Sequence, residues 1–307
     1  MTFSLQNSDS PAIPTPRDFN FWHTAFSHGW CALPPFSHDR TTRTLSRIFS
    51  LRDSHAVACS ITSRGSTVRI HLTPSAVLTP TQQKSLVLQV RTCLRLDEDF
   101  REFHREARRY PAHRWIANSG AGRLLRAPTV FEDAVKMICT TNCTWALTTL
   151  MVSNLVQSAG ARAPGGGCAF PTAEAIARLG ERILRKEVKA GYRAPYIASL
   201  AEAVASEKLD IESWRHSHLS TDQLFLEMRS VKGIGPYAAG NLLKLVGRYD
   251  YLGLDSWVRA RYYELHRKGR KVKDGTLERD YDKYGKWRGL IFWLEMTRDW
   301  HQDKYEL

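Results

Sequence analysis

The stretch VKGIGPYAAGNLL (231–243) sets Gly233 and Gly235 one residue apart, and a carboxylate, Asp255, follows in LGLDSWVRA. A glycine turn that runs into a helix offers free backbone amides at a positive helix end, which is an anion site. Pro236 suits the first helical position, and Lys232 beside the turn adds a cation. Two kinds of anion fit. Gly233-Ile234-Gly235-Pro236-Tyr237-Ala238 satisfies the dinucleotide fingerprint GxGxxA, with an acid about twenty residues on as the ribose contact, which would make a nicotinamide-dependent enzyme. That reading requires a β-strand before Gly233. LSTDQLFLEMRSVK instead opens with a Ser220/Gln223 capping box and carries Leu224, Met228 and Val231 at helical spacing, so a helix leads into the turn. Helix, glycine hairpin, helix is a device for holding a sugar-phosphate backbone, here through Lys232, Gly233, Ile234, Gly235 and Tyr237, without reading its sequence.

Asp255 precedes Trp257, Val258, Arg261 and Tyr262 at helical spacing, so read alone it is the N-cap of a helix over 255–268. Together, VKGIGPYAAGNLLKLVGRYDYLGLDSWVRA resembles the helix-hairpin-helix DNA glycosylases, whose signature is a glycine hairpin followed by a catalytic aspartate in a segment such as LDxxVxR. Eighteen residues separate Tyr237 from Asp255, a spacing that family uses. GRLLRAPTVFEDAVKMICTTN (122–142), FPTAEAIA (170–177), GYRAPYI (191–197) and YGKWRGLIFW (284–293) are similar, in order, to segments of the 8-oxoguanine and bacterial inducible 3-methyladenine members, and the resemblance covers about two thirds of the chain.

The resemblance implies a mostly α, helix-hairpin-helix glycosylase fold and an enzyme of base excision repair that rotates a damaged base out of duplex DNA. Breaking the base-to-sugar bond leaves positive charge on the deoxyribose, and a carboxylate fixed at a helix N-terminus, where dipole and amides favour negative charge, stabilises that charge without being strongly basic. Asp255 takes this role. Family members that also cut the strand carry a lysine where this chain has Tyr237, so release of free base without lyase chemistry is expected. Asn142 aligns with the residue inserted into the duplex, and Tyr192 and Arg193 with residues that touch the unpaired partner base; Asn142 reads equally as a helix-terminal cap in TTNCTW. Tyr237, Trp257, Phe292 and Met296 form the expected base pocket, aromatic and apolar, suited to cation-π stacking on alkylated bases. Gly29 and Trp30 approach it from the N-terminal side, while Trp287, Trp293 and Trp300 are expected in the core. Lys244, nearly two turns beyond Tyr237, is expected in solvent. An oxidised-purine glycosylase and a non-catalytic DNA-binding protein on the same scaffold are the alternatives.

The elements that must position these residues follow from the rest of the chain. The 307 residues can bury a substantial core, 43% hydrophobic content excludes general disorder, and no apolar run reaches the roughly 20 residues of a membrane span. The start, MTFSLQNSDSPAIPTPRD, lacks a basic region followed by an apolar one, so residues 1–18 read as a disordered tail of a monomeric intracellular protein. A formal charge of +13, concentrated in RKGRKVK (267–273) and REFHREARR (101–109), points to a polyanionic partner without distinguishing DNA, RNA and an anionic membrane; the resemblance implies double-stranded DNA. Residues 19–118 read as an α/β module: AVACSITSRGSTVRIHL (56–72) gives a hairpin at Arg64-Gly65, and Thr79-Pro80 starts a helix. Residues 119–307 read as a helical core with the helix-hairpin-helix at 220–247. Six cysteines without CxxC pairing exclude a disulfide framework, and with no cysteine after Cys168 the C-terminal iron-sulfur cluster of several relatives is excluded. Cys139 and Cys143 read as helix-face cysteines rather than metal ligands, and the one cofactor expected is a monovalent cation at the hairpin when DNA is bound.

Overall fold

Alternation of inward and outward residues, strict in TLSRIFS and held through the middle of AVACSITSR, builds the centre of a sheet. The computed structural model describes residues 11–51, 55–73 and 77–302. Strands β1 (Ala12–Pro14), β2 (Phe36–Asp39), β3 (Thr44–Ser50), β4 (Ala56–Arg64) and β5 (Thr67–Thr73) pair antiparallel in the order β1-β5-β4-β3-β2. The turn between β4 and β5 lies at Gly65, whose φ of 59° suits glycine. Helix α1 (Phe21–Ala25) sits between β1 and β2.

The helices then follow without interruption: α2 (Pro80–Leu94), α3 (Arg101–Arg109), α4 (Arg114–Ser119), α5 (Val130–Thr140), α6 (Trp145–Ala159), α7 (Ala173–Lys186) and α8 (Ala194–Ala205). After them come α9 (Thr221–Ser230), α10 (Pro236–Val246), α11 (Ser256–Arg267), α12 (Asp274–Tyr281) and α13 (Arg288–Met296). Their starts are chemically marked. Thr79 and Ser220 make full capping boxes with Gln82 and Gln223, and Thr129, Thr144 and Thr172 cap α5, α6 and α7.

Two expectations about organisation are corrected. Within the expected tail, Ala12–Pro14 forms an edge strand on β5 with Ile13 buried; a three-residue strand ending in proline carries too little alternation to be seen in sequence. Nor do 19–118 and 119–302 have separate interiors, since one apolar cluster runs from the sheet through α13. Polar ties cross the same boundary. Arg47 on the inner face of β3 forks onto Glu132 of α5 at 2.6 and 2.9 Å, and Trp30 donates to Asp133 at 2.7 Å.

Candidate active site

Between α9 and α10 the chain turns within Val231–Gly235. Gly233 has φ of 93°, and a Cβ there would lie 2.7 Å from the Tyr196 side chain, so both its conformation and its packing require glycine. Gly235 differs: its φ of −81° is ordinary and nothing lies within 4 Å of a Cβ, so only the first glycine is sterically required. Gly235 caps α10 with no side chain accepting from the first-turn amides, whereas α9 and α11 have Ser220 and Asp255 in that place. Those amides, with exposed Lys232 and Gly235 beside them, lie where the sequence leads one to expect an anion site. Ile234 is buried and can offer the backbone alone.

Asp255 is the N-cap of α11, its carboxylate accepting from the Val258 amide at 2.8 Å. The cap and the site reading are compatible, because one oxygen closes the helix while the residue lines a cavity of about 390 Å³. The cavity lies among α5, α6, α10, α11, α13 and the loop before β2. Tyr237 stands beside Asp255 in its wall. Burial first, then the Asp255 charge, pushes the Tyr237 phenol up to about 12, and its hydroxyl bonds Thr140.

Trp30, Trp145, Trp257, Trp293 and Trp300 stand in the rest of the wall, and two of the expected pocket residues do not. Phe292 and Met296 are buried away from the cavity, Phe292 packing edge-on against Tyr281. The neighbouring Trp293 faces it instead, its indole nitrogen donating to Ser27 at 2.8 Å, and Trp300 joins it. Helix α13 is apolar on nearly all sides, so its sequence does not reveal which face meets the cavity. Trp257, expected in the pocket, does line it, 43% exposed, with its ring 6.3 Å from Trp293 and 5.4 Å from Trp300. All three late tryptophans are half-buried against the core, and Trp287, stacked on Tyr249, is the one that does not line the cavity.

The N-terminal module closes the far side with His28, Gly29 and Trp30. A Cβ on Gly29 would sit 2.3 Å from the ring of Trp145, so glycine lets that indole lie against the loop. Burial drives His28 down to about 4, leaving it neutral at pH 7 with a short bond to the Leu125 carbonyl. Trp145 and Asn241 stand inside the stretches TTNCTW and VKGIGPYAAGNLL, but neither residue type at its spacing marks a cavity wall.

Lys244 is the largest departure from the sequence reading. It is 2% exposed, lines the cavity, and donates to the Leu252 carbonyl at 2.7 Å and Asn241 Oδ1 at 3.1 Å. Its helix end is fixed by Arg95, which donates to the carbonyls of Lys244 and Leu245, and by Arg126, 3.1 Å from the latter.

At the expected duplex-insertion point, Asn142 follows the Thr141 C-cap of α5 in the left-handed region, φ 46°, a conformation asparagine tolerates. Its side chain is exposed and 3.4 Å from the Tyr192 hydroxyl, and Tyr192 is itself 48% exposed. Arg193 is otherwise placed. It is buried, hydrogen-bonded to the Thr141 carbonyl and hydroxyl and stacked on Tyr192, so it braces the turn instead of projecting toward a partner base.

Cys139 is buried and Cys143 bonds the Cys139 carbonyl, and among the described residues no group of three or more His, Cys, Asp or Glu is arranged to hold a metal. No described helix is long and apolar enough to cross a membrane.

Solved structures share the fold. A 3-methyladenine DNA glycosylase from Archaeoglobus fulgidus superposes with a TM-score of 0.74 at 19% identity over 94% of this chain and 98% of its own. MBOgg1, in complex with a low-affinity DNA ligand, gives 0.74 at 20% identity over 97% and 99%. The Clostridium acetobutylicum 8-oxoguanine glycosylase/lyase gives 0.73 at 18% identity over 94% and 96%. No curated protein sequence matches the chain. The family model for HhH-GPD superfamily base excision DNA repair proteins matches residues 135–285, a span that holds the Asn142 turn, the glycine hairpin, Asp255 and the cavity face of α10. Over that span the chain matches the HhH-GPD superfamily of base excision DNA repair proteins.

Proposed function

We propose that this chain is a monofunctional DNA glycosylase that turns an alkylated base out of duplex DNA into the 390 Å³ cavity and hydrolyses its N-glycosidic bond. One observation carries the reading: Asp255, fixed by its bond to the Val258 amide, edges a cavity whose adjoining wall begins at the phosphate-binding end of α10. The hairpin holds the backbone, the Asn142–Tyr192 turn fills the gap left in the duplex, and the everted nucleotide brings C1′ to Asp255. As the bond from C1′ to the base nitrogen breaks, its electron pair leaves with the cationic base, which departs neutral, and the carboxylate offsets the positive charge on the sugar; a water oxygen then bonds C1′ and its proton passes to solvent.

The substrate class is read from the walls. Trp257, Trp293 and Trp300 with Trp30, Trp145 and Tyr237 make an aromatic enclosure, which favours flat, electron-poor, cationic rings. Absence of lyase chemistry is read from Tyr237: a phenol has no amine nitrogen with which to form a Schiff base. DNA as partner agrees with the +13 charge and with the DNA carried by the similar MBOgg1 structure.

The test is incubation of pure protein with duplexes that each carry one lesion, followed by alkali to cut abasic sites. The expected result is cleavage only after alkali and strongest for methylated purines. Cutting without alkali contradicts the monofunctional reading, and no cutting of any duplex contradicts the glycosylase reading.

A further inference from the structure

Helix α10 presents Tyr237, Asn241 and Lys244 to the cavity at positions i, i+4 and i+7, one face of the helix. Tyr237 lies at the hairpin end, and Lys244 stands seven residues on, about 10 Å deeper along the axis at 1.5 Å per residue. The mechanism above uses the first and leaves the last without a part.

The surroundings of Lys244 are built around its amine. Two of its three N–H directions are taken by the Leu252 carbonyl at 2.7 Å and Asn241 Oδ1 at 3.1 Å. Asn241 is locked in turn, its amide donating to the Tyr237 carbonyl at 3.0 Å. Gly253, at φ 65°, leaves the room: a Cβ there would come within 2.7 Å of Lys244 Nζ and 2.9 Å of the Asn241 amide. A buried cation is costly, and a methionine would fill the same volume without that cost, so packing does not account for a lysine here.

Resting on the glycosylase reading, we propose that Lys244 is a specificity-determining residue that donates its third N–H to a carbonyl oxygen of the everted base. The cavity then takes damaged bases with a ring carbonyl, as in guanine-type rings, over those with an amino group in its place, as in adenine-type rings. An ammonium offers three donors and no acceptor, so an exocyclic amino group facing it leaves donors unpaired on both sides. A site that hydrogen-bonds its substrate rejects an analogue lacking the partner far more strongly than an apolar pocket rejects a change of size. Burial lowers the Lys244 amine to about 7 while the Asp255 charge pulls the other way, and a carbonyl at the third position favours the charged, donating form.

The test compares single-turnover release of 7-methylguanine and 3-methyladenine from otherwise identical duplexes by the full chain and by Lys244→Met. Wild type is expected to release 7-methylguanine at least tenfold faster, and the variant to lose most of that ratio while binding abasic DNA as before. Inhibition of the wild type by the two free bases gives the same comparison with no dependence on the variant's folding, and 7-methylguanine is expected to be the better inhibitor by a similar factor. Equal release and equal inhibition by both bases overturn the inference and leave the glycosylase intact. Release of neither base overturns the glycosylase reading and this inference with it. A borohydride-trapped complex that forms with wild type and not with Lys244→Met makes the amine a nucleophile and overturns its role as a reader.

Discussion

Trp257 occupies the second position of α11, two residues beyond Asp255, and nearly half of its surface is open to the cavity mouth. An indole so placed offers a face to an incoming base at the moment of eversion. Base-on-aromatic stacking is worth about 1–3 kcal/mol, so Trp257→Ala is expected to raise the half-saturating concentration of lesion duplex by about 5- to 150-fold while binding to an abasic duplex stays within a few fold. Saturation curves on the two duplexes check this, and a uniform loss on both would place Trp257 in backbone binding instead. At this scale, Asp255 and Tyr237 were legible because a cap and a motif coincide on one and a family position falls on the other. Phe292 and Met296 were misplaced for a geometric reason: on a helix apolar all round, a shift of one residue turns the face by about 100°, and nothing in the sequence fixes that phase. Lys244 was misread because a lysine on a helix ordinarily reaches water, and only the fold brings the Leu252 carbonyl and Gly253 over its amine.

Among the elements, the hairpin makes the most specific demand. Gly233 and Gly235 look equivalent in sequence, yet only Gly233 has positive φ and a neighbour in the way of a side chain. Gly233→Ala is expected to cost about 1–3 kcal/mol of stability and to weaken binding to every DNA sequence alike. Gly235→Ala, at φ −81° with open space around it, is expected to change stability by less than about 1 kcal/mol. Denaturant titrations and DNA-binding isotherms on the pair check the contrast, and equal effects would contradict this account of the turn. The elements themselves were readable from local chemistry: the helix start at Thr79-Pro80, the capping box at Ser220, the turn at Gly65 and the Asp255 cap all stand where the sequence placed them. The strand Ala12–Pro14 was not, because its hydrogen bonds to β5 are a tertiary event.

Over the whole molecule, the sheet and the helices work as one body because charges and core both cross between them. Arg47, Glu132 and Lys136 form a fully buried triad, with Lys136 2.7 Å from the Glu132 carboxylate. Burial alone would push Glu132 up; Arg47 and Lys136 outweigh it and hold the carboxyl below its ordinary 4.5. Its stabilising effect is therefore complete above about pH 4.5 and is lost as pH falls through the lower folded value. Glu132→Ala leaves two cations buried without their partner and is expected to cost about 3–5 kcal/mol, seen as a lower midpoint in denaturant at pH 7. A midpoint unchanged from wild type would show that the triad does not hold the sheet to α5. That joint bears on function because β3 pairs with β2, and the loop before β2 carries His28, Gly29 and Trp30 to the cavity. The measurement that bears most directly on the whole account is single-turnover release of a methylated purine by wild type and by Asp255→Asn, with binding of the same duplex measured alongside. The substitution keeps size and the cap oxygen but removes the charge, so release is expected to slow by about 10²–10³-fold, about 2.7–4 kcal/mol, with binding unchanged. An Asp255→Asn protein that releases the base as fast as wild type would contradict the claim that this carboxylate carries the chemistry.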